Sequence, residues 1–391
     1  MVVPLNDRER RLIASALACF VLAALSGVLF RVGMQSGWTA SFTLANIRHA
    51  HSHLMYFSWA TPSLFVLLHP GSKQSLTWAW IVLVLGVLSY PLFLLFGYES
   101  TQVASLSLPP AVVVSGLIML AWYGWIFDYL RTGRGASHGS GLFRRVSMLS
   151  VIFLFLSSLG AWGISVVGPL GMGGENLIDI FKHMFLSYFT EGWLTLAAVA
   201  VLIQVLKPEL PKKRTLAVIT ILLFVGIGLS PVLGMPSDLL SETAMMRARA
   251  GALLAGIGLL LLTVPLWRAA DSFWKVPVLA LGLKGAALAI LAPLAPIWWA
   301  DNHQDRVLFL HLLLLGIVTV TIVLALAKDH DRWVKLFVVS CVTLIFFLLP
   351  PSTLWPFSFP AGIWLKVIGP LSLLPALAAI PILLKGGFLN R

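Results

Sequence analysis

Three histidines in five residues, His49, His51 and His53, open an apolar stretch that begins Asn46-Ile47-Arg48-His49-Ala50-His51-Ser52-His53-Leu54-Met55. A second apolar stretch starts at Phe181-Lys182-His183, and a third is preceded by His303 and carries His311. Neutral imidazole ligates metals and titrates near neutral pH. Ionisable groups inside a bilayer are costly, so each of these side chains is a candidate site residue. On a helix His49 and His53 share one face, whereas His51 is turned from either by about 200°. The i, i+4 pair can chelate a metal, and the same imidazoles can equally make interhelical hydrogen bonds worth about 1 kcal/mol.

The elements that must hold these groups are transmembrane. Hydrophobic residues make up 59% of the chain and charged residues 11%, and the mean hydropathy is +0.94, outside the range of a soluble domain. About twelve apolar stretches are each long enough to cross a hydrocarbon core about 30 Å thick. They run near Leu12 to Met34, Ala45 to Leu68, Leu76 to Tyr98, Leu108 to Leu130, Val146 to Pro169 and Ile180 to Leu206. The second six run near Thr215 to Met235, Met246 to Leu266, Val276 to Trp298, Val307 to Ala327, Val334 to Leu349 and Ile363 to Leu384. The expectation is an all-α polytopic bundle of about twelve transmembrane helices forming one domain over 1–391.

Basic residues gather at the N-terminus (Arg8, Arg10, Arg11), in alternate loops (Lys73, Arg131, Arg144, Lys213, Arg214, Arg268, Lys275, Arg332, Lys335) and at the C-terminus. Acidic residues such as Glu99, Asp179, Asp238, Asp301 and Asp305 occupy the opposite loops. The positive-inside rule then makes both termini cytoplasmic in a bacterial inner membrane. The net charge of +12 reads as topology and contact with anionic lipid, not nucleic-acid binding. His69, His138 and His330 fall in or beside cytoplasmic loops and read as solvated. Cys19 and Cys341 lie inside helices, so neither a disulfide framework nor a thiolate site is indicated.

Depth along the helices pairs His51 with His311. At 1.5 Å rise per residue, the first lies about 9 Å from the start of helix 2 and the second within about 8 Å of the start of helix 10, and the two helices run in the same direction. A porphyrin held edge-on between helices needs two axial nitrogens at one depth, and imidazole is a usual ligand of low-spin haem. Arg48, one turn before His51, could hold a haem propionate or snorkel to the interface. At mid-depth, Glu191 on helix 6 and Lys284 on helix 9 could pair with each other or with water. Glu191 could relay protons, and Tyr188, one turn before it, could extend the chain.

Twelve helices with histidines on helices 2, 6 and 10 resemble subunit I of the haem-copper oxidase superfamily, including its nitric oxide reductase branch. Arg48-x-x-His51 and His51-x-x-x-Met55 both select His51 as the low-spin haem ligand, and His311-x-x-x-x-Gly316 matches the second. The resemblance implies haem b and an electron donor that is periplasmic or a quinol. Departures are specific. Phe309 stands where a high-spin haem ligand belongs, Ser187-x-x-x-Glu191-Gly192 keeps Glu-Gly without the metal-binding histidine, and Ile227-Gly228-Leu229-Ser230-Pro231 replaces the helix 7 histidine pair. The segment His49-Ala50-His51, with His311-x-x-x-x-Gly316, is similar also to the NnrS family of haem proteins associated with nitric oxide stress, although His53-Leu54 departs from that family's pattern.

The expected protein is therefore a membrane haem protein that transfers electrons or handles nitric oxide or oxygen, with its binuclear centre lost or rebuilt. A second metal, copper or iron, would have to be built from His49, His53, His183 and His303. Two rivals remain: a haem-free transporter with an outward-facing histidine site, and a non-catalytic subunit held by partner subunits of a respiratory complex. No Walker-type loop, dinucleotide fingerprint or Gly-x-Ser-x-Gly nucleophile elbow in a strand-turn-helix context is present, so nucleotide and acyl-transfer chemistry are not supported. No Cys-x-x-Cys-His segment exists for covalent haem attachment.

Overall fold

Capping chemistry starts the first helix. The Asn6 side chain accepts from the N–H groups of Arg8 and Glu9, and the Glu9 carboxylate returns a bond to the Asn6 N–H, which together fix the start of α1 (Asp7–Ser36). Gly37, at φ 75°, closes α1 with a bond to the Gly33 carbonyl, in a conformation that glycine adopts without strain. These features belong to a computed structural model, which describes residues 3, 5–103, 106–132, 140–167, 174–209, 212–294, 299–326, 331–355, 357 and 361–384.

Thr43 caps α2 (Leu44–His53), which passes through a π-helical turn (Leu54–Ala60) into α3 (Thr61–Leu68), so that 44–68 is one helical run. Ser72 caps α4 (Lys73–Phe96), and a short antiparallel hairpin of β1 (Thr101–Val103) and β2 (Leu106–Leu108) leads to α5 (Pro110–Thr132). Next come α6 (Gly141–Val167) and α7 (Gly174–Ser187), then a second π turn (Tyr188–Leu194) and α8 (Thr195–Leu206). The chain continues through α9 (Lys213–Leu229), α10 (Glu242–Ala269) and α11 (Lys275–Ala286), which runs into a third π turn (Ala287–Leu291). Helix α12 (His303–His311) precedes a fourth (Leu312–Thr319), and α13 (Val320–Leu326), α14 (Arg332–Phe346), α15 (Ala361–Leu371) and α16 (Leu374–Leu384) complete the order.

Among the described residues, nine helical segments are long and apolar enough to cross a membrane. The three that the hydropathy reading adds differ for physical reasons. The run 44–68 has the length, but it opens on Asn46, Arg48 and three histidines, while α9 and α14 have only 17 and 15 residues. The hairpin, held in register by Thr101 opposite Leu108, is a small departure from an all-helical chain.

The helices group into two compact units. One contains Met1–Arg134, Ile322–Pro351 and Phe357–Arg391, and the other Gly135–Thr321 and Ser352–Pro356. Within the first, the Ser26 and Tyr90 hydroxyls meet at 2.7 Å, and Asn46 Nδ2 donates to the Leu94 carbonyl at 3.3 Å, fastening α4 to α1 and α2. Within the second, small residues let backbones touch. A Cβ on Gly226 would fall 2.3 Å from Ala255 N, and one on Gly256 2.4 Å from Ala289 N. Such close approach replaces the hydrophobic driving force that lipid removes.

Candidate functional site

Helix α2 sends its histidines in two directions, as 100° per residue requires. His51 turns to α1, where its Nδ1 lies 2.6 Å from the Ala23 carbonyl oxygen. A carbonyl only accepts, so Nδ1 carries the proton and Nε2 is the basic nitrogen. Gly27 makes room for the ring, since a Cβ there would meet His51 Cε1 at 3.1 Å. His49 and His53 turn to α4. The His53 ring lies over Phe93 at 3.8 Å and its Nδ1 has no hydrogen-bond partner, while His49 meets Tyr98 edge-on at 4.7 Å.

Arg48, the expected propionate holder, is exposed, and its charge reaches His49 and Tyr98. The cation whose field reaches His51 is Arg31 of α1, which the sequence reading passes over.

In the second unit His311 repeats the arrangement of His51. Its Nδ1 lies 2.7 Å from the Val307 carbonyl oxygen one turn back, so here too Nε2 is the basic nitrogen. A hydrogen bond from Nδ1–H to a carbonyl fixes ring orientation and raises ligand basicity, the usual outer support of a metal-bound imidazole. On this observation both residues fit an axial-ligand role.

The groups named for a second metal fit less well. His183 lies against the Gly234 backbone, within range of the Lys182 and Arg306 charges, which oppose a bound cation, and of Asp179, which favours one. His303 is exposed at the start of α12. Among the described residues no group of three or more His, Cys, Asp or Glu side chains is placed to hold a metal.

Glu191 and Lys284 do meet. Lys284 Nζ lies 2.8 Å from Glu191 Oε1 and 2.7 Å from Oε2, with the lysine side chain 0% and the glutamate 17% exposed. The ammonium also stands 3.7 Å from the centre of the Phe309 ring, within cation–π range. Gly192 lets this π turn pack on α6, because a Cβ there would come within 2.3 Å of Phe153 Cβ. The Tyr188 hydroxyl donates to the Gly228 carbonyl at 3.1 Å.

Among the described residues, all four π turns adjoin these groups. One follows His53, one contains Glu191, one begins three residues after Lys284 and one follows His311. π turns often accompany functional sites in helices.

His69, read as a solvated loop residue, is 1% exposed, with Nδ1 3.6 Å from Asp128 Oδ2 and Nε2 3.1 Å from Thr132 Oγ1. Ser72 donates to the same Asp128 oxygen at 3.1 Å. His138 and His330 lie outside the described residues. No protein-family model matches the chain, and a search of curated proteins gives no match either.

Proposed function

We propose that this chain is a membrane haem b protein of the electron-transfer kind, with His51 and His311 each fitted by its own surroundings to ligate haem iron. The observation that carries the reading is the Nδ1–carbonyl bond that His51 makes to Ala23 and His311 makes to Val307, which leaves Nε2 basic in each. A low-spin bis-histidine haem, when bound, accepts and passes on single electrons. The protein's part is to fix both ring tautomers, to keep the rings away from bulk water and to set the charge around them.

A gas-reducing second centre is not part of this proposal. At Phe309, where the family resemblance would put the high-spin haem ligand, the side chain offers no ligand atom and the Lys284 ammonium, paired with Glu191, lies over the ring. Electrons would come from a quinol or a periplasmic donor, with both termini on the cytoplasmic side of a bacterial inner membrane.

The test is a reduced-minus-oxidised visible spectrum with pyridine haemochrome quantification, recorded on the detergent-purified protein and on His51→Ala and His311→Ala. The expected result is a low-spin b-type spectrum at about one haem per chain that either substitution removes. A colourless wild-type protein, or haem retained in both variants, sinks the reading and moves the weight to a haem-free transporter.

A further inference from the structure

The face of α1 that receives His51 continues past it. Ala23, Gly27 and Arg31 follow one another at intervals of four residues and so form one stripe. Ala23 orients the ring through its carbonyl, and Gly27 leaves the ring its space. Arg31 stands one turn further along, about 6 Å beyond Gly27 on the helix axis.

The Arg31 guanidinium is half-buried and lies 6.0 Å from the Trp364 ring on α15. That ring is itself buried and pinned by a 2.8 Å bond from Nε1 to the Phe347 carbonyl. Among the described residues no carboxylate pairs with Arg31: the three ion pairs are His69 with Asp128, Lys182 with Asp179 and Lys284 with Glu191. An arginine that merely snorkels reaches solvent, as the exposed Arg48 does. Arg31 instead turns onto an aromatic face with its charge in range of His51. A partly desolvated guanidinium without a counter-ion calls for an anion, and its planar fork suits a carboxylate taken through two parallel N–H···O bonds.

We infer that Arg31 is the carboxylate-holding residue of the His51 site, gripping an acidic arm of the planar group that His51 ligates. This assignment rests on the haem reading, in which the arm is a propionate, and it moves the role from Arg48 to Arg31. The stripe then performs three tasks in order along one helix face: the carbonyl of Ala23 sets the tautomer, Gly27 admits the ring, and Arg31 balances the carboxylate charge.

The experiment compares wild type, Arg31→Gln, Arg31→Lys and Arg48→Gln, each purified in detergent and checked for monodispersity. Haem per chain after gel filtration and the midpoint potential between about pH 6 and 9 are measured for each. Removing a positive charge beside the iron favours the ferric state, so Arg31→Gln should lower the midpoint. It should also make the midpoint more dependent on pH, because a carboxylate released from its guanidinium takes up a proton on reduction. Haem retention should fall about tenfold, with Arg31→Lys intermediate because an ammonium keeps the charge but loses the fork. Arg48→Gln should behave as wild type.

A haem-containing Arg31→Gln protein with wild-type potential and pH slope overturns the assignment alone, as does a larger effect from Arg48→Gln. A haem-free wild type overturns both this assignment and the reading beneath it. Should Arg31→Gln fail to fold, Arg31→Lys decides: an unchanged potential and unchanged retention overturn the assignment.

Discussion

Lys284 and Glu191, ninety-three residues apart in the chain, share an ion pair in which the ammonium meets both carboxylate oxygens within 2.8 Å. The lysine is closed off and rests on Phe309, while the glutamate keeps some exposure. Among the elements packed around this π turn, α8 carries no ionisable side chain, α6 none after Arg145 and α9 none after Arg214, while those of α7, Glu175, Asp179, Lys182 and His183, all lie two turns or more before Glu191. The pair therefore supplies its own neutrality.

Breaking one side of a buried pair costs more than removing both. Lys284→Met leaves a carboxylate facing an apolar wall and should destabilise the protein by about 3–5 kcal/mol. The double variant Lys284→Met with Glu191→Met should recover most of that, because two apolar side chains of similar volume need no partner. Unfolding in mixed micelles of the two single variants and the double variant measures the coupling. Additive effects would show that the contact contributes nothing.

His53 gives a prediction of opposite sign. Its ring packs on Phe93 and its buried Nδ1 has no hydrogen-bond partner, so the imidazole carries a desolvation cost without a compensating bond. His53→Leu should leave stability unchanged or raise it by about 1 kcal/mol, and should leave any haem spectrum as it was. Elemental analysis of the purified protein supplies the contrary outcome: a stoichiometric metal in wild type that His53→Leu removes would mean that His49 and His53 are ligands after all.

The division of the α2 histidines between two faces was legible in the sequence because it follows from helix period alone. So was the placement of Glu191 and Lys284 within long apolar helical segments, though not their contact, which depends on how α11 meets the π turn at 188–194. Arg31 could not be found the same way. Its four-residue spacing from Gly27 and Ala23 is in the sequence, but only the packing of α1 on α2 and α15 shows that this stripe is the one that receives His51. His69 misled for a related reason. Loop residues are usually exposed, but the loop at 69–72 is tied to α1 by a 2.5 Å bond from the Gly71 N–H to Glu9, and to α5 through Asp128. A signal existed in Glu9, a carboxylate in the first turn of a transmembrane helix, but it pointed to a cap before it pointed to a neighbour.

Gly27 separates the stability of α1 from the integrity of the His51 site. Glycine within a helix costs about 0.8–1.0 kcal/mol relative to alanine. Gly27→Ala would recover that amount while pressing a methyl against His51 at 3.1 Å from Cε1 and 3.3 Å from Nδ1. The ring must give by a few tenths of an ångström, so stability should stay near wild type while the 2.6 Å bond to the Ala23 carbonyl loosens. Gly27→Val adds branching that no such shift absorbs, and should cost about 1–3 kcal/mol through overpacking. Nitrogen-15 shifts of the histidine rings read the tautomer directly. In wild type His51 should carry its proton on Nδ1. In Gly27→Ala the Nδ1 and Nε2 signals should move toward an averaged tautomer without any loss of thermal stability, and Gly27→Val should complete the change with a lower Tm. A ring signal that ignores both substitutions would mean that the Ala23 carbonyl does not fix the tautomer, and the case for Nε2 as a ready ligand at this position would fall with it.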